Sequence, residues 1–192
     1  GLAIPGDTSN NLCLKAYHLL KADFPSLPEI QMHLHKIIPM GAGLGGGSSD
    51  GTSALKILNT LFEIGLSREQ LIIYAEKLGS DCPYFLFDTP CHATSKGELL
   101  SPITCNLSNY TIVLLHPGIH IATPWAFQQI KPCKKDKLIS TIIQQPISTW
   151  KQELINDFEA PVIHAHPIIG ALKNDLYHQG AIYASMSGSG SS

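Results

Sequence analysis

The stretch Gly41-Ala42-Gly43-Leu44-Gly45-Gly46-Gly47-Ser48-Ser49, framed by Met40 and Asp50, decides how the rest of the chain is read. Glycine tolerates positive φ and lets backbone come close to a ligand, so a run this dense marks a bend with exposed N–H groups. After it, Ala54, Leu55, Ile57, Leu58, Leu61 and Phe62 recur at the spacing of a helix face. Before it, Ile30, Met32 and Leu34 alternate with Gln31, His33 and His35, the period of a half-buried strand running toward Pro39. The predicted order is strand, glycine loop, helix. A helix start offers unpaired N–H groups and the positive end of a dipole, so this order suits a phosphate. The plainer alternative is a flexible turn or tight strand–helix packing.

Two common phosphate loops fit only in part. Gly41-x-Gly43-x-x-Gly46 has the dinucleotide-binding spacing, but the acidic residue at the expected distance, Glu63, falls inside the predicted helix rather than at the end of a second strand. Gly41-x-x-x-x-Gly46 begins like a P-loop, yet Gly47-Ser48 stands where that motif needs Lys followed by Ser or Thr. Without that lysine, triphosphate charge needs Mg²⁺ and a cation from elsewhere in the fold.

Composition narrows the partners. The chain has 192 residues, with 13 Lys and Arg against 15 Asp and Glu, a formal charge of 13 − 15 = −2. At 44% hydrophobic and 15% charged it can bury a core, which excludes global disorder. A near-neutral balance offers no basic field for nucleic acid or an anionic membrane, so any anion is met by a local site. No apolar stretch is long enough to span a bilayer and no signal pattern opens the chain, which predicts a cytoplasmic protein. Cys13, Cys82, Cys91, Cys105 and Cys133 are odd in number and form no C-x-x-C pair, as expected of reduced thiols. Two H-x-H pairs, His33/His35 and His164/His166, lack a third ligand at a telling spacing. The chain opens at Gly1 without a methionine and stops on Ser187-Gly188-Ser189-Gly190-Ser191-Ser192, which leads us to expect further chain at both ends.

Elsewhere the sequence predicts alternating helices and strands, an α/β or α+β architecture. Leu12, Ala16, Leu19 and Leu20 mark a helix behind Asn10 as N-cap, ending near residue 22 before Pro25 and Pro28. Ser67 lies three residues before Gln70, a capping box, with Leu66 and Leu71 as its hydrophobic staple and Gly79 as the stop. Tyr84–Phe87 and Tyr110–Leu115 read as short buried strands, and Asp88-Thr89-Pro90 and Ser108-Asn109 as turns. Thr123-Pro124 starts a helix, Thr as cap and Pro at its first position. Lys131–Lys137 reads as a solvated connection, roughly 149–159 and 167–178 as helices, and Ala181–Ala184 as a last strand.

Pro39-Met40-Gly41 through Ser49-Asp50 resembles the second signature motif of the galactokinase, homoserine kinase, mevalonate kinase and phosphomevalonate kinase (GHMP) superfamily. Within it, the long glycine run is similar to that of the 4-diphosphocytidyl-2-C-methyl-D-erythritol kinases. Gly79-Ser80-Asp81-Cys82-Pro83-Tyr84-Phe85 resembles that family's catalytic aspartate segment, and His116-Pro117-Gly118 through Thr123-Pro124-Trp125-Ala126-Phe127 its substrate-side segment. The terminal Ser187–Ser192 run resembles the superfamily's third glycine-rich motif.

The resemblance implies a two-domain GHMP kinase fold with the site in the cleft between the domains. A ribosomal-S5-like ATP-binding domain would occupy 1–100 and a ferredoxin-like substrate-side domain 101–192, each incomplete. It also implies a preceding segment that carries a catalytic lysine and the aromatic and histidine that hold the cytidine. The implied reaction is ATP-dependent phosphorylation of a hydroxyl of 4-diphosphocytidyl-2-C-methyl-D-erythritol, with Mg²⁺ as cofactor, by a monomer or weak homodimer. Another kinase of the superfamily, acting on homoserine or mevalonate, and a non-catalytic nucleotide-binding protein are the rival readings.

Roles carry over residue by residue. Asp81 is the catalytic candidate, as base or as orienter of the attacking hydroxyl; by composition alone it is a turn aspartate. Pro39, Met40, Gly41, Ala42, Gly43, Leu44, Gly45, Gly46, Gly47, Ser48 and Ser49 form the ATP loop, with Ser48 as a candidate Mg²⁺ ligand. Ser48 and Ser49 also read simply as helix caps. Asn11 and Lys36 fall near the adenine, or else serve as a helix-start residue and a solvated strand end. Phe127 matches the aromatic that stacks on cytosine, and Thr123 lies beside it on the substrate side. Asp50 suits the helix dipole and stays outside the site.

Overall fold

The computed structural model describes residues 1–4, 7–131 and 136–192; most of the connection expected over Lys131–Lys137 lies outside the described residues. The chain divides into two compact units, one of Gly1–Met40 and Gly45–Ile103, the other of Gly41–Leu44 and Thr104–Ser192. The glycine run is thus split: its first half belongs to the second unit and its second half to the first.

Three helices build the first unit: α1 (Leu12–Asp23), α2 (Gly46–Leu61) and α3 (Arg68–Leu78). Small residues let α1 and α2 come close, with Ala16 and Ala54 buried and Gly51 leaving room where a Cβ would meet the Leu12 Cβ at 2.7 Å. Leu20, Leu27, Leu55, Leu58, Leu71 and Tyr74 fill the core between these elements. The cap of α1 is Asn11, whose side chain accepts from the Cys13 N–H at 2.9 Å, not Asn10, which closes a 3-10 turn over Thr8–Asn10. The Ser67/Gln70 capping box forms as expected, and Gly79 closes α3.

The expected alternation of strands is largely not formed. Residues 30–36 do alternate, with Ile30, Met32 and Leu34 packed against the core and Gln31, His33 and His35 exposed, but among the described residues they join no ladder. Tyr84–Phe87 is not a strand: Pro83–Leu86 is a 3-10 helix, with Pro83 at its start and Leu86 turned into the core. Apolar character alone does not separate a short buried strand from a helical turn. One sheet is formed among the described residues, an antiparallel hairpin of β1 (Cys91–Thr94) and β2 (Leu99–Pro102) that the sequence reading missed. Its turn signal was Ser95-Lys96-Gly97, where Ser95 and Gly97 take positive φ.

The second unit holds α4 (Thr123–Gln129), α5 (Ile139–Ile142), α6 (Ile147–Glu153), α7 (Glu159–Ala165) and α8 (Pro167–His178). Its core is Ile121, Ala126, Val162, Ile169 and Met186, and Gly170 lets α8 meet Ile163 of α7. Ala122 caps α4, so Thr123 is its first helical residue rather than its cap. The helix expected over 149–159 is two helices, broken between Leu154 and Phe158, where the Asn156 side chain accepts from the Phe158 N–H at 2.9 Å. Tyr110–Leu115 is exposed and, like Ala181–Ala184, forms no strand. The architecture is therefore mostly helical with one small sheet. No helix among the described residues is long and apolar enough to cross a membrane.

Candidate functional site

Within the first unit, α2 begins without a side-chain cap. Its N-cap is Gly45, left-handed at φ 65°, and the first intrahelical bond runs from the Ser49 N–H to the Gly45 carbonyl at 2.9 Å. Ser48 and Ser49 lie inside the first turns, so neither is the cap that the plainer reading assigned. The N–H groups of Gly46, Gly47 and Ser48 have no backbone partner among the described residues, and they point out of the helix start. That is the electrostatic setting in which an anion binds.

Lys36 is the unexpected residue. It is 3% exposed, not a solvated strand end, and its ammonium pairs with Asp50 on α2. The inward phase of residues 30–36 carries it there, and Gly46 makes room, since a Cβ at that position would stand 3.1 Å from Lys36 Nζ. A cavity of about 340 Å³ adjoins the pair, lined by Asn11, Lys36, Met40, Gly47 and Asp50 among others. Four residues predicted for ATP thus share one concavity, together with Asp50, which the sequence reading had set aside. Cys13 lines it too; burial, and then the Asp50 charge, push its thiol up, so it stays a neutral wall.

Asp81 lies exposed in the turn that follows α3, where the Cys82 N–H returns to the Gly79 carbonyl at 3.1 Å. Its Oδ1 accepts from the Ser80 hydroxyl at 3.3 Å and no buried partner claims it among the described residues. One buried bond ties this turn to α2. The wholly buried Thr52 donates its hydroxyl to the Cys82 carbonyl at 2.8 Å. The helix that starts in the glycine run therefore carries the aspartate turn on its flank. Thr52 was missed because a lone threonine in a helix reads as surface or as a weak helix former.

In the second unit Gly41 and Gly43 take φ of 73° and 80°, with Ala42 buried between them. Positive φ at alternate residues is the backbone curvature of an anion-binding concavity. The terminal serine–glycine run packs on this segment: Ser187 donates its hydroxyl to the Gly43 carbonyl at 2.9 Å, and the Ser192 N–H reaches the Ala42 carbonyl at 3.3 Å. Thr123 and Phe127 are one turn apart on α4. Ser189 donates to the Thr123 hydroxyl at 3.3 Å, while Phe127 is 58% exposed and pairs in a T-shaped arrangement with Phe158, centroids 4.9 Å apart. A largely exposed aromatic ring one helical turn from a hydroxyl suits a flat polar ring.

Residues 11–89 match the model of the GHMP kinase N-terminal domain. The chain is 48% identical over 192 residues, all of its length and 70% of the relative's, to the 4-diphosphocytidyl-2-C-methyl-D-erythritol kinase of Bacteroides thetaiotaomicron. It is equally 48% identical to the protein of the same name from Cytophaga hutchinsonii, covering 71% of it. A crystal structure of 4-(cytidine 5'-diphospho)-2C-methyl-D-erythritol kinase superposes with a TM-score of 0.79 at 27% identity, over 99% of this chain and 70% of that one.

Proposed function

Because the chain belongs to the 4-diphosphocytidyl-2-C-methyl-D-erythritol kinases of the GHMP family, we propose that its own Asp81, glycine run and α4 carry that family's phosphoryl transfer. It is an ATP-dependent kinase with the GHMP fold, and its reaction phosphorylates a hydroxyl of 4-diphosphocytidyl-2-C-methyl-D-erythritol in non-mevalonate isoprenoid precursor formation. The division into an S5-like ATP-binding domain and a ferredoxin-like substrate-side domain is part of the proposal, as is a monomer or weak homodimer.

The run Pro39–Ser49 holds the phosphates of ATP through main-chain N–H groups, and the cavity at Asn11, Lys36 and Met40 takes the nucleoside end. The buried Lys36 spends its charge on Asp50, so it shapes this site rather than reaching the γ-phosphate. Thr123 and Phe127 orient the acceptor, with Phe127 under the cytosine. Asp81 receives or orients the proton of the attacking hydroxyl; a loose transition state asks more for that alignment than for a strong base.

No three His, Cys, Asp or Glu side chains cluster as a cation cage among the described residues. Ser48, in the first turn of α2, is the protein hydroxyl we assign to Mg²⁺, beside the nucleotide's own oxygens. Bound there, the ion supplies charge neutralisation along the phosphate chain.

The observation that carries this reading is the Thr52–Cys82 bond, which places the aspartate turn on the helix begun by the glycine run. The test is phosphorus NMR of the kinase with Mg-ATP and the cytidyl acceptor, with Asp81→Asn in parallel. A new phosphomonoester signal that slows about 10²- to 10⁴-fold in the variant, at unchanged ATP affinity, is expected. Equal rates in both proteins would remove Asp81 from the mechanism.

A further inference from the structure

We propose that Asn156 and Glu159 are positioning residues for this reaction: they clamp the terminal serine–glycine run so that it turns two carbonyls of the phosphate loop away from the ligand. The inference rests on reading the glycine run as the ATP phosphate loop.

The clamp lies wholly within the second unit. One amide group, Asn156 Nδ2, donates to the carbonyls of both Met186 and Gly188, each at 2.8 Å. It thereby fixes the backbone on either side of Ser187. Glu159 Oε1 accepts from the Met186 N–H at 2.7 Å, and its other oxygen holds Lys173 at 2.6 Å, which balances a carboxylate only 7% exposed. With both neighbours held, the Ser187 hydroxyl is aimed at the Gly43 carbonyl, and the Ser192 N–H, in a turn closed by the Ser187 N–H to the Ser192 carbonyl at 2.7 Å, meets the Ala42 carbonyl.

The consequence for the loop follows from peptide geometry. In a planar trans peptide the C=O and the next residue's N–H point in opposite directions. With the carbonyls of Ala42 and Gly43 drawn to the serine run, the N–H groups of Gly43 and Leu44 face the other way, and among the described residues neither has a backbone acceptor. The two runs also meet backbone on backbone. A Cβ on Gly43 would collide with Ser187 and Gly190, and one on Gly190 with Ala42 and Gly43, so the contact has no side-chain slack to absorb a shift. A loosened clamp therefore lets the carbonyls rotate and the phosphate donors with them.

Asn156→Asp tests this, because it keeps the oxygen that accepts from the Phe158 N–H and nearly the same volume, but sets an acceptor against two carbonyls. Ser187→Ala removes the next link with little structural cost. Mg-ATP is titrated into the ¹⁵N-labelled kinase while the Gly43 and Leu44 amide resonances are followed, and KM for the cytidyl acceptor is measured alongside.

Each variant is expected to weaken Mg-ATP binding about tenfold, with the acceptor KM within about twofold and the double variant less than additive. Unchanged ATP affinity in Ser187→Ala, or a parallel rise in both KM values, overturns the proposal even if Asn156→Asp does not fold. If the wild-type Gly43 and Leu44 amides do not respond to Mg-ATP, the phosphate-loop reading itself fails; if they respond and the variants bind normally, the clamp alone fails.

Discussion

Replacing Thr52 with valine isolates the link between the nucleotide helix and the catalytic turn. Thr52 is fully buried and its hydroxyl makes one bond, 2.8 Å to the Cys82 carbonyl. That carbonyl also accepts from the Phe85 N–H at 3.1 Å, so valine removes one of its two bonds and does not orphan it. The stability cost is then that of a single hydrogen bond, about 1 kcal/mol, rather than the up to about 3 kcal/mol of an unpaired buried group. Thr52→Ser keeps the hydroxyl and deletes a buried methyl, which also costs about 1 kcal/mol. The two variants are matched in stability and differ in whether the turn stays tied to α2.

Misplacement of a reacting group by about 1 Å costs up to roughly 10²-fold in rate. We expect kcat to fall about tenfold in Thr52→Val and to stay within about twofold in Thr52→Ser, with KM for ATP little changed in either. Urea unfolding followed by circular dichroism gives the stabilities, and coupled detection of ADP release gives the rates. Equal losses of kcat in the two variants, or none in the valine variant, would refute the idea that this bond sets Asp81.

Two further outcomes are expected. Burial first, and then the 2.6 Å hydrogen bond to Asp23, raise the Tyr74 pKa to about 12, so the folded protein keeps its phenolic proton where the unfolded chain, ionising near pH 10, loses it. Its stabilisation is complete below pH 10 and is lost between pH 10 and 12, so unfolding of Tyr74→Phe followed across that range shows a shallower fall than wild type. Phe127→Ala should raise KM for the cytidyl acceptor about tenfold and leave KM for ATP unchanged, a stacked ring being worth about 1–3 kcal/mol; an ATP effect in steady-state kinetics would count against its place on the acceptor side.

How much of this was legible differs from element to element. The Ser67/Gln70 box was readable because a cap is a local bond between near neighbours in the chain, and the start of α8 because Pro167 pre-sets the φ of a first helical residue. The phase of residues 30–36 was readable too, since it depends only on which side chains are apolar. Whether that segment sits in a sheet was not readable, because a ladder needs a second strand and periodicity names no partner. Tyr84–Phe87 failed for a related reason: Pro83 and the tie of Cys82 to Thr52 wind an apolar run into a 3-10 turn.

By itself, the sequence determined the chemistry on offer: a glycine run before a helix, an aspartate in a turn, and an aromatic one turn from a threonine. Each is a matter of residue type and short spacing. Only the tertiary structure decided that Lys36 is buried on Asp50, that Thr52 carries the aspartate turn, and that Asn156 and Glu159 hold the serine run against Gly43. These bonds join residues from 14 to 144 positions apart in the chain. No local pattern encodes them, because they exist only once burial has brought distant polar groups together and left each needing a partner.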